Sequence, residues 1–116
     1  MVIADVRTVA RLVRDGEMSA RNAVQQSLDL VEHHQAALNA FVHVDAAGAL
    51  AAADAVDRAR SAGEPLGPLA GVPFGVKDLE DCAGMPTTRG SRWYADAPPA
   101  PRDDIHVERL RAAGAI

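Results

Sequence analysis

The 116-residue chain has one cysteine, Cys82, and one lysine, Lys77. A single thiol builds neither a disulfide framework nor a zinc site, and it agrees with a reducing, cytoplasmic compartment. Aromatic residues are nearly as scarce, with Phe41, Phe74, Trp93 and Tyr94 the only large rings. Alanine therefore carries much of the 48% apolar content. Because alanine buries little area, the composition predicts an alanine-based, small-residue core and a chain that leans on something else. No apolar run approaches the roughly 18 residues of a membrane span, and Met1 is followed by Asp5 and Arg7 instead of a signal peptide's apolar core. Excess positive charge is missing as well. A net charge of −4, with basic residues scattered among acidic ones, leaves no footprint for a nucleic-acid backbone or an anionic membrane, so neither is expected as a partner.

Of the 12 basic residues, all but Lys77 are arginine. A sequence that otherwise uses arginine for solvated charge keeps a lysine where an amine is wanted, since lysine can lose its proton when desolvated and arginine cannot. Val72, Phe74 and Val76 alternate with Pro73, Gly75 and Lys77, which puts the amine at a strand's end on the small-residue face, with Gly75 leaving room beside it. The other reading of the same spacing is a solvated lysine paired with Asp78 or Glu80. Spacing alone does not separate the two.

Helical spacing of Val6, Val9, Ala10 and Val13, with Asp5 as N-cap and Gly16 as stop, predicts a first helix. Ser19 caps a second, reaching about Gln35 with its stripe at Ala23, Val24, Leu28 and Val31. Residues 38–44 read as a strand or an extended connector. Asp45 caps an alanine-rich helix over 46–62, ended by Gly63. Prolines and glycines then interleave over 63–75 and lead into a short strand over 72–77. Residues 78–101 carry neither periodicity and read as irregular surface structure, the kind that often bears function. Asp103 or Asp104 caps a last helix through Ala113, with Gly114 as its stop. Ala115 and Ile116 then read as the opening of a core strand, so the sequence is expected to be the front of something longer.

Several chemistries fail on spacing. Gly71 and Gly75 are separated by three residues, and Val76 stands between Gly75 and Lys77, so a phosphate-binding loop does not fit. His33, His34, His43 and His106 lack the i, i+4 pair of a zinc helix, and no metal or cofactor is expected. Asp78, Glu80 and Asp81 could attract a divalent cation, although such loop carboxylates are usually solvated. Cys82 has no basic neighbour within two positions to favour a thiolate. Thr87, Thr88 and Ser91 read as turn chemistry.

The run Gly67-Pro68-Leu69-Ala70-Gly71-Val72-Pro73-Phe74-Gly75-Val76-Lys77-Asp78 resembles the lysine motif of the amidase signature family. Thr87-Thr88-Arg89-Gly90-Ser91 is similar to that family's Thr-Thr-x-Gly-Ser segment. Leu38-Asn39-Ala40-Phe41-Val42 and the run from Val107 to Ile116 match too. The resemblance implies an α/β fold, with helices on both sides of a mixed sheet, of which this is the helix-rich N-terminal portion. Within residues 1–116, part of one domain, 1–63 form a helical front and 64–116 the lysine strand, loop and following helix. It implies hydrolysis of carboxylic amides through a Ser, cis-Ser, Lys triad, with Lys77 as the triad lysine. Its neutral amine accepts a proton through the cis-Ser, which activates the nucleophilic Ser, a role that requires a desolvated lysine. Both serines and the oxyanion loop fall beyond Ile116, and Ser91 matches neither. The expected partners are therefore the C-terminal portion of the same enzyme and a small-molecule amide. Gly90-Ser91 favours an ordinary amidase over the glutamine-amidating subunit used in tRNA charging. A non-catalytic binding or scaffold module, or an enzyme forming a Schiff base through Lys77, are the alternatives.

Overall fold

The computed structural model describes residues 5–116, so the reading of the chain's start at Met1 lies in part outside the described residues. Four helices form: α1 (Val6–Asp15), α2 (Ala20–Leu38), α3 (Ala46–Ser61) and α4 (Ile105–Ala112), with a 3-10 turn at Arg92–Tyr94. The expected caps act at the first three. The Asp5 carboxylate accepts from the Arg7 and Thr8 amides at 2.9 and 3.0 Å, and Gly16 closes α1 with φ 78°. Ser19 Oγ accepts from Asn22 N at 3.0 Å, and Asp45 from Gly48 N at 2.9 Å. At α4 the N-cap is Asp104, but its side chain is turned elsewhere.

Helix α2 runs on to Leu38, three residues past the expected end. Asn39 (φ 46°) takes the left-handed C-cap conformation that glycine usually supplies. The Gln35 amide then clasps the next turn of chain, donating to Phe41 O at 2.6 Å and accepting from Phe41 N at 3.2 Å. From there to Asp45 the chain bends at Val42 and forms no strand, a connector between α2 and α3.

Helices α2 and α3 pack against each other, and a polar clasp from α3 fixes where α1 ends and α2 begins. The Asp57 carboxylate accepts from Ala20 N (2.8 Å) and Arg21 N (3.1 Å), two of the donors that a helix start leaves unpaired. The Arg60 guanidinium donates to Val13 O and Met18 O at 3.3 and 3.2 Å, adding a donor to one carbonyl in the last turn of α1 and one in the link to α2. Beneath this clasp the core gathers Val13, Ala20, Val24, Ala53 and Ala70, with Val9, Leu28, Leu50 and Ile116 half-buried against it. The largest fully buried side chains are valines 13, 24 and 107. The small-residue core expected from the composition is what forms.

Two glycines let the proline-rich loop reach that core. A Cβ at Gly67 would sit 2.2 Å from Ala113 O, and one at Gly71 (φ 75°) 2.9 Å from Val13 Cγ2. The close approach permits backbone bonds from Leu69 N to Ala113 O (2.8 Å) and from Gly71 N to Gly114 O (3.0 Å). Ile116 N then donates to Val72 O and Phe74 N to Ile116 O, both at 2.8 Å, the two bonds with which a parallel pair begins. Among the described residues no strand forms, and 72–77 is extended chain instead of the expected strand. One paired residue does not make a ladder.

Candidate functional site

Lys77 sits at the end of that extended segment, held from both sides. Upstream, Phe74 is bonded to Ile116, and Phe41 packs on Gly75, where an added Cβ would meet Phe41 Cε1 at 3.1 Å. The room expected beside Gly75 is thus taken by an aromatic ring that the Gln35 clasp delivers. Downstream, the chain turns at once, because Lys77 O accepts from Leu79 N (2.7 Å) and Glu80 N (3.0 Å). The side chain is exposed, and among the described residues it joins none of the ion pairs. Of the reading as a solvated lysine paired with Asp78 or Glu80, the exposure is present and the pairing is not.

Asp78 is engaged elsewhere. Its carboxylate accepts from Thr88 N (2.7 Å), the Thr88 hydroxyl and Gly90 N (3.2 Å). The Thr88 hydroxyl bond, helped by the backbone donors, holds its carboxyl below the ordinary range despite some opposing desolvation. Asp81 works alike, accepting from the Thr87 hydroxyl at 2.6 Å. Asp104 accepts from Asp81 N and Asp103 from Ala83 N, both at 2.7 Å. Arg111 connects this network to α4, donating to Asp103 at 3.0 Å and to Cys82 Sγ at 3.1 Å. Isolated bridges from Ala83 to Ala100 and from Pro86 to Pro99 complete the loop's frame.

The irregular segment is therefore a loop organised by carboxylates, with little regular structure of its own. Asp78, Glu80 and Asp81 do not converge, and among the described residues no three metal-ligating side chains gather. Of the three hydroxyls expected to serve turn chemistry only Ser91 does so, accepting from Trp93 N at 3.2 Å, whereas the Thr87 and Thr88 hydroxyls reach back to Asp81 and Asp78. Two features escape a reading of the sequence. Asp78 and Thr88 are ten residues apart, and Cys82 and Arg111 twenty-nine. The adjacency of an acidic residue to the lone lysine, with threonines downstream, is the available signal for the first. Nothing local signals the second.

Residues 22–116 match the amidase family. The chain is 53% identical over 108 residues to a glutamyl-tRNA(Gln) amidotransferase subunit of Salinispora arenicola, covering 93% of this chain and 22% of that protein. It is 40% identical over 104 residues to the 1-carboxybiuret hydrolase subunit of a Pseudomonas species, covering 90% and 23% respectively. The solved structure of native peptide amidase from Stenotrophomonas maltophilia superposes with a TM-score of 0.87 at 31% identity, over 97% of this chain and 23% of that one. The chain thus spans about a fifth of the length of these relatives, in the helix-rich part of an α/β fold. No helix among the described residues is long and apolar enough to cross a membrane.

Proposed function

Since this chain belongs to the amidase family, we propose that it is the N-terminal portion of an enzyme that hydrolyses carboxylic amides, with Lys77 as the proton-accepting amine of a Ser, cis-Ser, Lys triad. The observation that carries this reading is the placement of Lys77. The chain's one lysine lies within the matched residues, fixed in backbone position on both sides, with its amine free of any carboxylate among the described residues. An amine without a carboxylate partner loses its proton more readily once further polypeptide covers and desolvates it, as a base near neutral pH must. The serines and the oxyanion donors belong to that further polypeptide. A cytoplasmic setting accompanies this reading, supported by the free Cys82.

The kind of amide has two readings. Gly90-Ser91 speaks for an ordinary amidase, whereas identity to an amidotransferase subunit (53%) exceeds identity to a hydrolase subunit (40%). We infer that an amidotransferase role is the second reading. Comparing hydrolysis of simple carboxylic amides with amidation of glutamyl-tRNA(Gln) by the complete enzyme separates the two.

A companion test concerns the 116 residues alone. A base without its nucleophile and oxyanion donors lacks the groups that stabilise the transition state, so the purified chain is expected to turn over no amide. Turnover by the chain that disappears in Lys77→Ala would contradict the assignment of the nucleophile to further polypeptide.

A further inference from the structure

Beside the lone lysine, one carboxylate ties two distant pieces of chain together. Asp78 gathers three donors from Thr88 and Gly90, while the peptide it shares with Lys77 is locked in the turn that Leu79 and Glu80 close on Lys77 O. The carboxylate is half-buried and makes no ion pair among the described residues. Its charge is met by hydrogen bonds alone, which tie it to fixed points of the Thr88–Gly90 backbone. The partner segment turns through two left-handed residues in succession, Arg89 (φ 57°) and Gly90 (φ 63°), and presents the Thr88 and Gly90 amides to the one acceptor. Arg89 also lies over the Tyr94 ring, 5.4 Å from its centroid, and Ser91 caps the turn that carries Tyr94. The 87–94 segment is thus held together by its own contacts, and Asp78 is where it attaches to the lysine segment.

We propose that Asp78 is a positioning residue for Lys77: by holding the Thr88–Gly90 turn against the peptide that follows the lysine, it fixes the point from which the amine reaches the reacting groups. This inference rests on the proposed role of Lys77. The physical reason is sensitivity to distance. A proton acceptor works within roughly 2.6–3.2 Å of its donor, and displacement by about 1 Å can cost on the order of a hundredfold in rate. The Lys77 stem is flexible, so its Cα must be fixed if its reach is to be reproducible. From the other side only Gly75 and Val76 separate it from the bonded Phe74. The clamp at Asp78 supplies the constraint on the remaining side.

The test is steady-state kinetics of the complete enzyme on a simple carboxylic amide, with Asp78→Ala, Thr88→Val, Thr88→Ser and Lys77→Ala compared. Asp78→Ala is expected to lower kcat at least tenfold with KM within about twofold, since what is lost is alignment and not substrate contact. Thr88→Val, which removes one hydroxyl and nothing else of size, lowers kcat in the same sense, and Thr88→Ser restores it. A double variant combining Asp78→Ala with Thr88→Val is expected to be no worse than Asp78→Ala alone, because both act through one clamp. If Asp78→Ala does not fold, Thr88→Val against Thr88→Ser decides. Wild-type kcat in both Asp78→Ala and Thr88→Val, with Lys77→Ala inactive, overturns the positioning role and leaves the function standing. Wild-type activity in Lys77→Ala overturns the function, and the positioning role with it.

Discussion

Asp57 and Asp78 are both loop-fixing acceptors, yet they differ in what they support. Asp57 caps α2 from α3, with its side chain 20% exposed and Arg60 4.0 Å away. Replacing such a cap costs about 1–3 kcal/mol, because two helix-start donors lose their partner and Arg60 its nearby carboxylate. Asp57→Ala is accordingly expected to speed amide exchange at Ala20 and Arg21 roughly ten- to a hundredfold in the complete enzyme, at about 1.4 kcal/mol per decade. Unchanged exchange at both sites would show the clasp to be incidental. Asp78 has a pH signature. Its carboxyl is held below the ordinary aspartate value of about 3.9, so its stabilisation is complete above that value and lost as pH falls through the lowered one. Protection of the Thr88 and Gly90 amides should therefore fade in acid below about pH 4, and Asp78→Asn should remove that pH dependence. Lys77 is visible in the sequence because it is the only lysine. Its clamp is not, since an acceptor is recognised only when the fold has brought donors to it from ten residues away.

At the scale of elements, caps are the most legible feature. Asp5, Ser19, Asp45 and Gly16 act where the sequence puts them, because a cap bonds within three or four residues and needs no tertiary help. The end of α2 lies beyond its expected place because Asn39 takes a role expected of glycine. The 72–77 strand does not form because strand character depends on partners, and Ile116 alone supplies them. The proline-rich loop gives a sharper prediction. Gly67→Ala drives a Cβ into the backbone at Ala113, which cannot move without shifting the exit of α4, and should cost about 2–4 kcal/mol. Gly63→Ala meets nothing within 4 Å and carries only the roughly 1 kcal/mol strain of its left-handed φ. Thermal unfolding of the two variants in the complete enzyme checks the order, and equal losses would mean that the Gly67 approach is not tight in solution.

The whole molecule exposes more surface than its size warrants. Its accessible area is 7792 Å², against roughly 6,100 Å² for a folded monomer of 12.2 kDa. Its radius of gyration is 14.7 Å, against about 13 Å for a compact domain of this length. The excess includes large apolar side chains, among them Trp93 at 88% exposure and Leu38 and Ile105 at 68%. Even about 300 Å² of unburied apolar area corresponds to roughly 7 kcal/mol, comparable with the whole stability of a small domain. The isolated chain is therefore expected to be partly unfolded or associated, with α2 and α3 its most persistent parts. Circular dichroism and size-exclusion chromatography check this, and a monomer melting cooperatively above about 50 °C would favour a self-sufficient module.

The scarcity of large buried side chains is legible in the composition, whereas the exposure of Trp93 and Leu38 is not, since it depends on how distant segments pack. The central claim, that Lys77 is the proton-accepting amine of an amide hydrolase, is tested most directly by one comparison: kcat for a simple carboxylic amide in the complete enzyme and in its Lys77→Ala variant. The account predicts a loss on the order of 10³-fold or more, as when one member of a cooperating triad is removed. A kcat within about tenfold of the unaltered enzyme would contradict it.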